Sequence, residues 1–259
     1  MSTHIELSNN ISVFVEDDQE SVARRAAELF SAVLVAAPTG TFGFATGSTP
    51  VGMYQQLIAR HQTGSLDFSG ISAFNLDEYY PIAKDNDQSY AYFMRTELFD
   101  HVNIDTDAID IPNGQAPDPE AECIRYEAAL RDHADNYVLQ VLGIGENGHI
   151  GFNEPADHFA ARTNYVTLCP STIAANARFF DHAQDVPKHA LTMGVGTIMM
   201  AKKILLLATG PKKSEIIGRT LLGDITPQIS ASALQLHQDV TVVLDRCAAG
   251  ALLAQLDQN

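Results

Sequence analysis

Short runs rich in Val, Ile and Leu alternate along the chain with longer amphipathic segments. "ISVFVE" (11–16) is followed by "DQESVARRAAELFSAVLVAA", "TFGFAT" (41–46) by "TPVGMYQQLIARHQ", and "ISAFNL" (71–76) by a polar loop and "YAYFMRTELFDHV". Further on, "YVLQVLGIG", "KKILLLAT" and "DVTVVLD" have the continuous apolar character of strands covered on both faces. "PEAECIRYEAALRDHA", "KKSEIIGRTLLG" and "RCAAGALLAQL" carry helical periodicity. Buried strands alternating with helices predict an α/β fold: a doubly wound, mostly parallel sheet with helices on both faces. No linker, repeat or shift in composition divides residues 1–259, so a single domain is expected.

In an open sheet of this kind, ligands bind beyond the carboxyl ends of the strands. Three predicted strand exits are rich in small or acidic residues: 45–50, 75–79 and 143–155. A fourth, 209–213, is basic. The stretch "VLGIGENGHIGFNEP" (141–155) holds a literal G-x-G-x-x-G at 143–148. A dinucleotide site needs a helix to open directly after the third glycine, because the helix N-terminus holds the pyrophosphate. Gly151, Asn153 and Pro155 oppose such a helix. The alternative is a tight glycine turn that delivers His149 into a cleft, five residues before Glu154. A histidine in that setting, with a carboxylate near enough to orient it, suits acid–base work near neutral pH.

At the first exit, "FGFATGSTPVGMYQQL", Gly47 lets backbone approach a ligand, and Ser48 or Thr49 can cap a helix whose first position is Pro50. The amides there can hold an anion such as a phosphate monoester. An ordinary capped turn is an equal reading of the same residues. In "FNLDEY", Asp77 and Glu78 follow an apolar strand as loop carboxylates or a helix cap. Successive side chains at a strand end point to opposite sides, so at most one of the two faces the cleft.

Charge changes the picture. The formal net charge is −16 on 16 Lys and Arg, which argues against nucleic acid and anionic membrane surfaces as partners. Each basic residue near a strand exit therefore stands out: Arg178 in "NARFF", and Lys212 and Lys213 in "ATGPKKSE". Lys213 near a helix start is unfavourable to the helix dipole, and a bound anion would offset that cost. Three dispersed cysteines, Cys123, Cys169 and Cys247, oppose a disulfide framework or CxxC metal site and fit a reducing cytoplasm. No segment has the apolar run of ~20 residues that a membrane helix needs, and the N-terminus lacks the layout of a secretion signal.

Four blocks, "TGSTPVGMYQQL", "FNLDEYYPI", "GIGENGHIGFNEPA" and "ALTMGVGTIMMAKKILLLATGPKK", make the chain resemble the glucosamine-6-phosphate deaminases (isomerases) over nearly its whole length. The resemblance implies conversion of D-glucosamine 6-phosphate and water to D-fructose 6-phosphate and ammonia, with no cofactor or catalytic metal. It implies that His149 opens the pyranose ring, that Glu154 and Asn147 orient and polarise His149, and that Asp77 moves the C2 proton to C1. It further implies a phosphate site from Thr46, Gly47, Ser48, Thr49, Arg178 and Lys213. The chain departs from well-known hexameric members at Asn147, where they carry Asp. It also has Asn164 and Val166 where allosteric members carry an Arg and a Lys for an activator phosphate, and it ends soon after its last helix. A non-allosteric monomer or small homo-oligomer in the cytoplasm is expected, its partner a phosphorylated amino sugar. The related 6-phosphogluconolactonases share the first exit and the Gly-His turn, but typically read "DER" for Asp77-Glu78-Tyr79 and "SLFP" for Phe152-Asn153-Glu154-Pro155. Glu154 is thus the discriminating residue. A non-catalytic sugar-phosphate sensor would need a DNA-binding module, for which the chain has neither a spare N-terminal segment nor a basic surface.

Overall fold

The computed structural model describes residues 2–7, 10–177, 180, 182 and 185–258. Eleven strands are named among them: β1 (Thr3–Leu7), β2 (Ile11–Glu16), β3 (Thr41–Phe44), β4 (Ser72–Asn75), β5 (Asp77–Tyr80), β6 (Ile109–Asp110), β7 (Tyr137–Leu142), β8 (Asn164–Thr167), β9 (His189–Thr192), β10 (Ile204–Ala208) and β11 (Val240–Asp245). The helices are α1 (Gln19–Ala36), α2 (Ser48–Gln62), α3 (Tyr90–Glu97), α4 (Pro119–Asp132), α5 (Pro170–Asn176), α6 (Val195–Ile198), α7 (Ser214–Leu222) and α8 (Arg246–Leu256).

Eight strands form the main sheet in the order β1-β2-β11-β10-β7-β3-β4-β6. All neighbours run parallel except β1 and β2. Alternation along each strand sends apolar side chains to both faces. Phe42 and Phe44 on β3 meet Phe30 of α1, and Phe44 also meets Tyr54 of α2. Phe74 on β4, aligned with Gly43 and so turned the other way, meets Tyr126 of α4. This is the expected doubly wound α/β architecture, with continuous apolar strands buried on both sides.

A second sheet was not expected. β5, β9 and β8 form a three-stranded antiparallel sheet with β9 in the centre. Asp77 and Glu78 therefore do not stand on the predicted polar loop; they begin strand β5, one residue after β4 ends. β5, β8 and β9 have four residues each and mix apolar with polar positions, too short for periodicity to separate them from loop. A cluster of Tyr79, Ile82, Phe152, Leu168 and Ala190 packs beside this sheet, apart from the main core.

After β3 the chain steps outward to β4 and β6, then returns to place β7 on the other side of β3. The strand order thus reverses between β3 and β7, the crevice where doubly wound sheets take their ligands. β10, β7, β3 and β4 are consecutive neighbours and parallel. Their carboxyl ends, and with them all four predicted exits, lie side by side along one rim.

Candidate active site

The first exit begins where β3 ends. α2 opens at Ser48, two residues earlier than the Pro50 start read from sequence, and neither Ser48 nor Thr49 caps it. The N-cap is Gly47, at φ 95° and without a side-chain cap bond. A β-carbon on Gly47 would meet nothing within 4 Å, so open space stands beside that helix start. Gly47 and Ser48 are exposed, and Thr46 and Thr49 half-buried. This suits backbone capture of an anion better than the capped-turn reading does.

At the second exit the two carboxylates part company. Glu78 is 1% exposed and turns inward to cap α3. It accepts from the amides of Tyr79 (2.9 Å), Tyr90 (2.8 Å) and Ala91 (2.9 Å) and from Ser89 Oγ (2.7 Å). Burial raises its affinity for a proton, and those hydrogen bonds counter part of the rise. Asp77 is also buried, but it lies toward the third exit: its Oδ2 is 3.6 Å from where a β-carbon on Gly151 would sit. Burial, and then the nearby Glu78 charge, push the Asp77 carboxyl well above the usual carboxylate range. The two carboxylates point apart, as side-chain alternation requires.

The third exit is an irregular loop; no helix follows Gly148, which removes the dinucleotide reading. The glycines serve His149. A β-carbon on Gly145 would fall 2.4–2.6 Å from the His149 ring atoms, so only glycine lets the ring lie over the turn. Gly148, at φ 89°, makes the reversal, and the amide of Gly145 bonds the carbonyl of His149 at 2.9 Å. His149 Nδ1 is buried and meets no partner with hydrogen-bonding geometry; Glu154 Oε2 lies 3.3 Å from it. Asn147 bridges the two, donating from Nδ2 to Glu154 Oε2 (2.8 Å) and accepting the His149 amide on Oδ1 (3.2 Å). Thr172 Oγ1 and the amide of Cys169 (3.4 Å) bond Glu154 Oε1. Burial raises the Glu154 carboxyl, but His149, Thr172 and Asn147 outweigh it and hold the group at about 2. Glu154 is thus a fixed negative charge behind the imidazole.

At the fourth exit, Lys213 ends the turn Pro211–Lys213 and stands at the N-cap of α7. Its Nζ donates to the carbonyl of Ile144 at 2.6 Å, which draws this exit against the loop of His149. Lys212 is exposed and pairs with Glu146 at 3.4 Å. Arg178 lies outside the described residues.

Sequence reasoning missed several positioning residues. Ser230, 3% exposed, accepts the Ile150 amide (3.2 Å) and donates to the carbonyl of Asn153 (2.7 Å), bracketing the segment between His149 and Glu154. From the other side, Thr192 Oγ1 accepts the Phe152 amide at 3.0 Å. Thr192 is the cross-strand partner of Asp77, so β9 ties Asp77 to the histidine loop. Tyr79 and Tyr90 pack at 4.8 Å and both rest on Phe152, whose ring lies 6.5 Å from that of His149. No spacing rule links these positions to residues 149–154; for Thr192 and Tyr79 the antiparallel sheet makes the connection, and for Ser230 and Tyr90 it is made by packing of other elements.

A doubly wound α/β protein with a buried carboxyl, a carboxylate-backed histidine and a glycine-opened helix start at its switch point is the class that the fold and site define. The model for the family "Glucosamine-6-phosphate isomerases/6-phosphogluconolactonase" matches residues 17–243, and the chain belongs to that family. A glucosamine-6-phosphate deaminase of Clostridioides difficile (strain 630) is 51% identical over 240 residues, covering 93% of this chain and 96% of that protein. A glucosamine-6-phosphate deaminase of Clostridium novyi (strain NT) is 48% identical over 235 residues, 91% of this chain and 97% of that one. A solved structure described as a monomeric glucosamine-6-phosphate deaminase superposes with a TM-score of 0.89 at 45% identity, over 92% of this chain and 99% of that chain.

Replacing Asn147 by Asp should shift the pH–rate profile. The substitution keeps an acceptor for the His149 amide but puts a second carboxylate beside Glu154, which favours the imidazolium. The acidic limb of kcat/KM is expected to move to higher pH by about one unit. An unchanged limb removes Asn147 from the polarising role.

Proposed function

We propose that this protein is a glucosamine-6-phosphate deaminase of amino-sugar catabolism, converting D-glucosamine 6-phosphate and water to D-fructose 6-phosphate and ammonia. The observation that carries the mechanism is the placement of Asp77 against the loop that bears His149, with Glu154 3.3 Å behind the imidazole. Thr46–Thr49 and Lys213, with Arg178, hold the phosphate, far from the reacting carbons, so that its binding energy positions the sugar. His149 takes the proton of the anomeric hydroxyl and delivers it to the ring oxygen, opening the pyranose to the aldehyde. Glu154 stabilises the imidazolium formed on the way, and Asn147 fixes Glu154 against the ring.

Asp77 then removes the proton from C2 and returns it to C1. The electron pair of the C2–H bond forms the C1=C2 double bond while the C1 carbonyl oxygen takes up a proton, which gives the enolamine; protonation at C1 and loss of a proton from the nitrogen then leave a hydroxyl on C1 and an imine at C2. Water adds to that imine, the C2–N bond breaks, and ammonia leaves as the ketone forms. A carboxyl with raised proton affinity suits this step, because it holds the proton between removal and return.

Glu154 also decides against the lactonase reading: four groups hold this carboxylate in place, and lactone hydrolysis has little need of a carboxylate-backed ring-opening histidine. The test is ammonia release from glucosamine 6-phosphate compared with acid release from 6-phosphogluconolactone. Acid release without ammonia release overturns the proposal.

The same reading makes the enzyme non-allosteric. The cavity behind Glu154 is lined by Phe159, Asn164, Val166 and Cys169 among others, and no Lys or Arg is among its described lining residues. Added N-acetylglucosamine 6-phosphate is expected to leave hyperbolic kinetics unchanged; sigmoidal kinetics relieved by it would refute this. We place the enzyme in the cytoplasm, in keeping with its three free cysteines, and working as a monomer or small homo-oligomer. No helix of the described residues is long and apolar enough to cross a membrane.

A further inference from the structure

We propose that Asp245, at the end of β11 and outside every stretch discussed above as chemical, is a positioning residue for the phosphate grip. This rests on the assignment of Lys213 to the substrate phosphate. Asp245 is 8% exposed and divides its carboxylate between two elements. Oδ1 accepts the amide of Ala248 at 2.7 Å and caps α8. Oδ2 accepts the amide of Gly210 at 2.9 Å. Gly210 opens the turn Pro211–Lys213, so the carboxylate fixes where that turn leaves the sheet, three residues before Lys213.

A second fastening lies at the far end of the same turn. The amide of Ala251 on α8 donates to Ser214 Oγ at 2.8 Å, and a β-carbon on Gly250 would come within 3.1 Å of that oxygen. The segment 210–214 is therefore held to α8 at both ends, while Lys213 Nζ reaches across to the Ile144 carbonyl at 2.6 Å. Of the two fastenings, at Gly210 and at Ser214, the Asp245 bond to Gly210 is the one made by a charged group, and charge-assisted hydrogen bonds are the stronger kind. An acidic side chain near a phosphate site would ordinarily repel the ligand. Here its two oxygens are spent on backbone amides, so it acts on the shape of the turn.

Asp245→Asn separates the two tasks. Asn is as good an N-cap as Asp, so the cap on α8 is retained with Oδ1. The amide nitrogen then faces the Gly210 N–H, donor against donor, and the turn loses its anchor. The expected result is a rise of about tenfold in KM for glucosamine 6-phosphate and in the inhibition constant of inorganic phosphate, the loss of one charge-assisted bond. kcat should stay within about threefold, because Asp77, His149 and Glu154 are untouched. A merely structural role would lower kcat and the fraction of active enzyme together and leave both constants alone. Lys213→Ala is measured alongside. If it raises both constants while Asp245→Asn leaves them unchanged, the role of Asp245 is overturned and the phosphate assignment stands. If neither variant raises them, both ideas fall. If Asp245→Asn raises them and Lys213→Ala does not, Asp245 does not act through the phosphate grip and the inference fails. Should Asp245→Asn lose its cooperative melt, Asp245→Ser, also a good cap and also without a bond to Gly210, supplies the same comparison.

Discussion

Asp77→Asn is expected to lower kcat by about 10³-fold, within the range general acid–base groups contribute, with KM for glucosamine 6-phosphate changed little. The amide has nearly the shape of the carboxyl, and the proposed phosphate contacts lie elsewhere, so the loss should fall on proton transfer. Exchange with solvent of the C2 hydrogen of glucosamine 6-phosphate, or of a C1 hydrogen of fructose 6-phosphate, should vanish together with turnover. The same variant should be more stable than the wild type at neutral pH, an effect opposite to that of most buried substitutions. The sign follows from linkage. The folded protein holds the Asp77 proton more tightly than the unfolded chain does, because burial and Glu78 disfavour the charged form. The cost of ionising it is absent below the ordinary carboxylate range and is fully present above the raised folded value. Asn carries no such cost at any pH. Urea midpoints measured at acid and neutral pH check this; a variant less stable than wild type at neutral pH, with full activity, would end the assignment of Asp77 as the base.

Glu154→Gln is expected to lower kcat by about 10²-fold, and its pH signature runs the other way. The Glu154 carboxyl is held at about 2 in the fold, below its value in the unfolded chain, so its ionised form contributes stability above the unfolded value. That contribution disappears as pH falls from about 4.5 to about 2, and amounts to at most about 3 kcal/mol. Glutamine keeps one acceptor for Thr172 but gives no charge to His149. The variant should therefore start less stable at neutral pH and lose less on acidification, so that the two stability curves converge toward pH 2. Parallel curves would show that Glu154 gains nothing from its charge. The activity loss should be deepest where the imidazolium must form, and a product-side assay starting from an open-chain ketose phosphate should suffer less in that step than the cyclic amino sugar.

These two variants probe residues whose candidacy is visible along the chain. His149 is legible because glycines precede it at 145 and 148 and a carboxylate follows at 154; local backbone sterics decide that a turn, and not a helix, stands there. Asp77 is legible because it follows an apolar strand, and side-chain alternation already separates it from Glu78. Lys213 stands out because basic residues are scarce. The start of α2 is a near miss. Cap preferences point to Ser48 or Thr49, yet Gly47 takes the cap position, because a backbone at φ 95° is open to glycine without strain. An uncapped start leaves backbone amides turned to the rim, which a local preference for side-chain capping does not anticipate.

The small sheet was not legible, for a different reason. β8 and β9 are separated from β5 by more than eighty residues, and each is too short to show its period. Their pairing is stabilised only when Ala190, Leu168 and Phe152 find a shared interior. Ser230 and Asp245 are alike in this respect. Ser230 lies some eighty residues from Ile150 and Asn153, and Asp245 thirty-five from Gly210. Nothing local distinguishes either from other serines and aspartates.

What the sequence by itself determined is the alternation of buried strands and helices, and with it the rim where the exits gather; hydrophobic periodicity and turn sterics act over a few residues and can be read there. The tertiary structure alone decided which carboxylate turns toward the histidine loop, what bridges His149 and Glu154, and which distant side chains bond the turn that carries Lys213. Those choices depend on hydrogen bonds and contacts between segments far apart in the chain, whose partners meet only once the two sheets have packed.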